Sequence, residues 1–118
     1  MKNQKKAKKK QVDYNKNYMV ILALLIINKG DPLNNSYRLI RILEWRFGML
    51  LNTKEILDDI KEKKYAEYEI INGLHYYTLT DTGKNIIQQE FEAAYNFLIK
   101  TYDKEVEIIK SLFDSFKL

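Results

Sequence analysis

KKYAEYEIINGLHYYTLTDTGK, residues 63–84, holds two β-rich runs on either side of Asn72-Gly73. An Asn-Gly pair accepts the positive φ angles of a two-residue turn, so it predicts a β-hairpin here. Pairing across the turn sets Ile71 opposite Leu74 and Tyr68 opposite Tyr77. Alternation along the strands then predicts one core-facing side, formed by Ala66, Tyr68, Ile70, His75, Tyr77 and Leu79.

The second run ends in the motif Tyr-x-Leu-Thr-x-x-Gly, residues 77–83, in which Thr80 or Asp81 suits the cap of a following helix. Three helical segments precede the hairpin and a long one follows it. This order of elements and the motif resemble the winged helix-turn-helix domains of bacterial regulators such as the MarR and PadR families, over roughly residues 14–90. The resemblance implies a mainly α fold with a small β-hairpin (α+β), a winged helix-turn-helix with a long C-terminal helix.

Length and composition set the domain organisation. The chain has 118 residues, 46% of them hydrophobic, which suits one compact domain with tails. We divide it into a disordered basic tail over residues 1–12, a winged-helix domain over 13–83, and a C-terminal helix over 84–118 that serves dimerisation.

The positive charge of the chain is concentrated at its start. The net charge is +4, yet six lysines fall in the first ten residues, which leaves 14 basic and 16 acidic residues among the other 108. A tail this polar cannot bury enough surface to order itself. Two interpretations of it stay open: a sequence-independent contact with phosphates through Lys8, Lys9 and Lys10, or a solubilising tail.

The lysine tail and the apolar run at residues 18–27 together imitate a secretory signal. The run is half the ~20 residues that span a bilayer, and no small-x-small cleavage pattern follows it. We therefore expect a cytoplasmic protein without a membrane association. The chain has no cysteine and one histidine, so a disulfide or a structural metal site is not expected.

The first two helices are predicted at residues 14–28 and 36–47. The first is apolar nearly all round, which predicts a central position in the core. The second carries Arg38, Arg41 and Trp45 along one side at positions i, i+3 and i+7. This stripe has two interpretations: a contact with nucleic acid or a partner chain, or a tryptophan packed under the C-terminal helix beside two solvated arginines.

The third helix, predicted from Thr53 to Lys63, occupies the recognition-helix position that the resemblance implies. Its outer face is net negative, which opposes an approach to phosphates. The candidate DNA contacts near it are four lysines, namely Lys54, Lys61, Lys63 and Lys64. The hairpin adds no Lys or Arg between residues 66 and 80.

Residues 82–117 are predicted to form one long helix, or two helices broken near 101–104. Apolar residues recur in them at gaps of three or four, and a stripe of that length calls for a partner helix. We therefore expect a homodimer, in which the contact residues are Phe91, Leu98, Tyr102, Ile109 and Phe113. The alternative is a helix that folds back onto its own domain.

Two functions remain open. The first is a homodimeric transcriptional regulator that binds double-stranded DNA. The second is a winged-helix module that binds a protein partner through the acidic third helix, the Tyr-rich hairpin or the face of Arg38, Arg41 and Trp45. Neither a nucleophile with its base nor a phosphate-binding loop can be identified, and His75 is expected to be a packing residue, so we predict no enzyme and no cofactor.

Overall fold

The computed structural model describes residues 15–49 and 52–117 of the chain, with the side chain of residue 117 excepted. The predicted tail over residues 1–12, including Lys8, Lys9 and Lys10, lies outside the described residues. Within them the fold is mainly helical with one antiparallel hairpin, as predicted. No helix in the described ranges has both the length and the apolar composition needed to cross a membrane.

The first helix, α1 (Lys16–Lys29), is the centre of the core. The side chain of Asn15 caps it by accepting a hydrogen bond from the Tyr18 N–H at 3.2 Å. Every residue from 19 to 27 is buried. Because α1 has no polar face, the other elements must cover it on all sides, and the hairpin and the five other helices of the described ranges contact it.

The second and third helices are α2 (Ser36–Arg41), which continues as a π-helical turn (Ile42–Arg46), and α3 (Thr53–Glu62). Asn35 caps α2 by accepting a hydrogen bond from the Arg38 N–H at 3.0 Å. Gly48 follows the π-helical turn with a φ of 66°, a conformation that suits glycine after a helix. These bounds agree with the predicted helices to within a few residues.

The hairpin pairs β1 (Ala66–Ile71) with β2 (Leu74–Leu79) in the predicted register. Asn72 and Gly73 both have positive φ, at 52° and 82°, as a two-residue turn of this kind requires. The prediction of its core-facing side is only partly right. Ala66 and Tyr77 are buried, whereas Tyr68 and Ile70 are exposed, because the outer half of the hairpin extends beyond the helices.

The segment before α2 is joined to β2. Asn35 forms an isolated antiparallel bridge with Tyr76. The Tyr77 N–H donates to the Asn34 carbonyl at 2.9 Å, and the Asn34 side-chain amide donates to the Tyr77 carbonyl at 3.1 Å. These hydrogen bonds fix the base of the hairpin beside the start of α2.

The chain after the hairpin forms α4 (Asp81–Gln89), α5 (Phe91–Thr101), a 3₁₀ turn (Asp103–Glu105) and α6 (Val106–Lys117). Thr80 caps α4, since its hydroxyl oxygen accepts from the Gly83 N–H at 3.1 Å. The break that was predicted as one alternative near residues 101–104 is present, and Tyr102 has a non-helical backbone. A second interruption, at Glu90, was not predicted, so the segment forms three helices and not one or two.

The apolar stripe of residues 82–117, called the C-terminal stripe below, packs against the core of the same chain. The predicted dimer assumed that this stripe needs a second copy to cover it. After the 3₁₀ turn, α6 returns along α1, and Lys29 donates to the hydroxyls of Ser111 and Ser115 at 3.1 and 3.0 Å. Leu98 and Ile109 are each 0% exposed, so neither side chain is free to bind a partner. The remaining predicted contact residues also pack against this core, namely Phe91, Tyr102 and Phe113.

Candidate functional site

A shallow groove runs along the exposed side of α2 and its π-helical turn. Its volume is about 450 Å³. We call it the arginine–aromatic groove, and its lining residues are Leu33, Tyr37, Arg38, Arg41, Ile42, Trp45 and Arg46. The sequence predicted the members Arg38, Arg41 and Trp45 as one stripe, and the structure brings them together.

Arg41 is held between two aromatic rings. Its guanidinium carbon lies 3.9 Å from the centre of the Trp45 ring and 5.4 Å from the centre of the Tyr37 ring. It also donates a hydrogen bond of 2.6 Å to the Tyr37 hydroxyl. These contacts hold the guanidinium in one orientation before a ligand binds. The side chain therefore loses less conformational entropy on binding.

Trp45 is 73% exposed, which overturns the interpretation that it packs under the C-terminal helix. Tyr37 is 54% exposed beside it. The predicted stripe did not include Tyr37, although its position four residues before Arg41 places the two side chains on one helical face. At the far end of the groove, Arg46 donates to Glu105 at 3.2 Å and ties the π-helical turn to the C-terminal part of the chain.

The outer face of α3 lies against a different side of α2. A second shallow cavity is lined by residues of both elements, namely Ile40, Glu44, Thr53, Lys54, Leu57, Asp58 and Lys61. Lys54 forms an ion pair with Asp58 at 2.7 Å. The hydrogen bond from Lys54 to Asp58, and then the charge of Asp58, raise the pKa of the Lys54 ammonium. Lys54 and Lys61 therefore share a surface that Arg38 and Arg41 do not line.

The lysines after α3 take other positions. Lys63 reaches the Asp59 carboxylate at 3.3 Å, and Lys16 of α1 approaches the same carboxylate at 3.7 Å. Asp59 is 6% exposed, and its ion pair with Lys16 joins α3 to the start of α1. Lys64 has a φ of 59°, and its carbonyl accepts a hydrogen bond from the Thr80 hydroxyl at 2.6 Å.

The outer half of the hairpin is a third exposed surface. We call Glu67, Glu69, Ile70 and Ile71 the hairpin end. All four side chains are exposed, and Ile70 is 62% exposed. Tyr68 lies on the same face of β1 as Ile70, opposite to Glu67, Glu69 and Ile71. Its ring stacks on the half-buried His75 with ring centres 4.4 Å apart, and the Lys61 ammonium lies 5.0 Å from the Tyr68 ring centre.

The described residues offer no group of three or more His, Cys, Asp or Glu side chains placed to hold a metal ion. The candidate site comprises three exposed surfaces: the arginine–aromatic groove, the outer face of α3 and the hairpin end. No family model matches the sequence, and neither a curated protein nor a solved structure matches it.

Proposed function

We propose that this chain is a winged helix-turn-helix protein that binds double-stranded DNA and acts as a transcriptional regulator. The observation that carries the proposal is the pairing of Asn34 and Asn35 with β2. This isolated bridge sets the segment between the first and second helices beside the two-stranded hairpin, at the place where a winged helix has its additional short strand. The inference is one of fold-level analogy.

In this arrangement α3 is the helix that enters the major groove. Lys54 and Lys61 lie on its outer face, and both are exposed. The ion pair between Lys54 and Asp58 is no obstacle to a phosphate contact, since solvent-exposed pairs contribute little and exchange readily. Asp58 and Glu55 are the carboxylates on this face that would accept a hydrogen bond from a cytosine amino group.

In this proposal the N-terminal lysines provide most of the affinity for DNA. Residues 15–117 carry 14 basic and 15 acidic side chains, a formal charge of −1, so the folded part attracts phosphates only weakly. The six lysines within the first ten residues supply a separate positive segment. Counterion release by that segment would drive association, and α3 would contribute the selection among sequences.

A salt titration of binding to random duplex DNA tests the proposal. The full chain is compared with a chain that starts at Gln11, and the slope of log K against log salt counts the phosphate contacts. We expect the truncation to lower the slope by several contacts and the truncated chain to keep weak, salt-dependent binding. Binding that vanishes with the tail would contradict a role for the folded part in DNA recognition.

Charge-removing variants locate the contact on the folded part. Replacing Lys54 and Lys61 by alanine should weaken binding by the truncated chain and reduce its salt slope by about one contact for each lysine. The matched control replaces Lys84 and Lys100, which are also exposed but lie on α4 and α5. Equal losses in the two pairs would show non-specific attraction and would contradict the assignment of α3.

The second candidate function is a winged-helix module that binds protein. It is favoured by the excess of exposed carboxylates on α3 and the hairpin, where Glu55, Asp58, Glu62, Glu67 and Glu69 are all exposed. Such a surface repels phosphates and suits a basic protein partner. Loss of all DNA binding with the tail would select this function over the first.

A further inference from the structure

Two exposed apolar surfaces remain after α3 is assigned to DNA. Trp45 and Tyr37 are more than half exposed in the arginine–aromatic groove, and so is Ile70 at the hairpin end. Single exposed apolar residues are ordinary, but large side chains grouped with oriented charges are typical of protein interfaces. The C-terminal stripe, which was expected to form the interface, packs largely against the core of the same chain: Leu98 and Ile109 are 0% exposed, and Phe91 and Tyr102 are partly buried.

The groove is basic. Arg38, Arg41 and Arg46 line it, and no acidic residue is among the described residues of its lining. Arg46 is engaged by Glu105, whereas Arg41 touches only uncharged aromatic partners in the contacts described above. An occupant of the groove should therefore bring carboxylates together with an apolar group for the Trp45 ring.

The hairpin end has that composition. Glu67, Glu69 and Ile71 are exposed on one face of β1, Ile70 is exposed on the other, and residues 66–80 include no Lys or Arg. The hairpin base is fixed to the start of α2 through Asn34, so the hairpin end extends from a rigid support. Since Ile70 and Trp45 are both exposed in one molecule, the hairpin end does not fill the groove of its own chain.

We propose that the hairpin end of one copy of this chain docks into the arginine–aromatic groove of a second copy, and that the exchange is reciprocal. Glu67 and Glu69 pair with Arg38 and Arg41, and Ile71, which lies on the same face of β1 and is 45% exposed, covers the Trp45 ring. A reciprocal exchange about a two-fold axis closes the assembly as a dimer. It also explains why the hairpin lacks the basic residues that a DNA-contacting wing carries.

Charge reversal tests this pairing in the full chain. Sedimentation equilibrium should show a dimer for the wild type, and Arg41→Glu and Glu69→Arg should each raise the dissociation constant at least about tenfold, because like charges then face each other. An equimolar mixture of the two variants should recover one heterodimer with restored charge pairs at both interfaces. The double variant Arg41→Glu/Glu69→Arg should also recover dimers.

Trp45 supplies a second measurement, since it is the only tryptophan of the chain. Its emission should shift to shorter wavelength as the wild-type concentration rises, because docking buries the indole, and the shift should be absent in Glu69→Arg. The matched control is Lys84→Glu with Glu92→Arg, two exposed charges on α4 and α5. Circular dichroism of every variant checks that the fold is retained.

Three results would contradict the proposed dimer. A wild type that stays monomeric up to about 200 μM overturns the proposal, since that concentration would populate even a weak dimer. A dimer that survives both reversals places the interface elsewhere and also overturns it. If Arg41→Glu reduces DNA binding and leaves the oligomeric state unchanged, the groove is a phosphate site and the proposed docking is wrong.

Discussion

Replacing Gly83 by alanine separates two physical effects that have opposite signs. Gly83 lies in the first turn of α4 and has no positive φ, so alanine is compatible with its backbone. Helix propensity alone would make Gly83→Ala stabilising by about 1 kcal/mol. The packing of α4 against the segment before β1 predicts the reverse.

A methyl group at Gly83 would overlap the carbonyl oxygen of Tyr65 and would stand 3.0 Å from its carbonyl carbon, where ordinary contacts begin at 3.4 Å. The Tyr65 carbonyl also accepts a hydrogen bond from the Thr80 N–H at 3.1 Å, so moving it apart strains the junction between β2 and α4. Overpacking of this kind costs about 1–3 kcal/mol, and a weakened hydrogen bond costs about 1 kcal/mol. After the gain in propensity, we expect a net loss of about 1–3 kcal/mol.

Urea unfolding followed by circular dichroism measures this difference. The control is Thr82→Ala, an exposed neighbour in the same turn, for which we expect a change within about 0.5 kcal/mol. A Gly83→Ala variant as stable as the wild type, or more stable, would refute the argument that close backbone approach requires glycine at this position of the motif.

Three further predictions concern the core and its charges. Asp59→Asn should destabilise the fold by about 1 kcal/mol in urea unfolding, because Lys16 and Lys63 lose a shared buried carboxylate, whereas Asp58→Asn in the exposed pair should change stability little. Leu98→Glu should abolish the cooperative unfolding transition by placing a charge in a fully buried site, and a folded monomer would contradict the intramolecular packing of α5. Burial raises the pKa of the Tyr77 and Tyr102 hydroxyls, and the neighbouring Tyr68 adds to the effect at Tyr77. Their contribution to stability is therefore complete below the unfolded pKa of about 10 and is lost as pH rises further, so alkaline titration of unfolding should show a steeper loss in the wild type than in Tyr77→Phe.

The parts of the fold that were predictable are those fixed by neighbours in the chain. Asn72-Gly73 determined the turn and hence the register of six residue pairs, since a two-residue turn leaves one way to pair the strands. Asn15, Asn35 and Thr80 each bond a backbone N–H three residues later, a local interaction that the sequence displays directly. The stripe of Arg38, Arg41 and Trp45 was predictable for the same reason.

The predictions were wrong where burial of a side chain depends on segments that are distant in the sequence. Periodicity showed that the C-terminal stripe must be buried. It does not determine whether α1 of the same chain or a second copy buries it. The non-helical backbone at Tyr102 reverses the chain and lets Ile109 pack on α1. Likewise, alternation placed Ile70 on the core-facing side, although the helices do not extend far enough to cover it.

The sequence by itself thus determined the elements, their caps, the hairpin register and the separation of basic tail from acidic body, because these depend on residues within a few positions of one another. Only the tertiary structure decided which apolar faces are buried and which remain exposed. It buried Leu98 and Asp59, exposed Trp45 and Ile70, and put Arg41 and Lys61 on different surfaces. The physical reason is that burial depends on how much surface each neighbouring element covers, and that quantity is set only when all elements pack together.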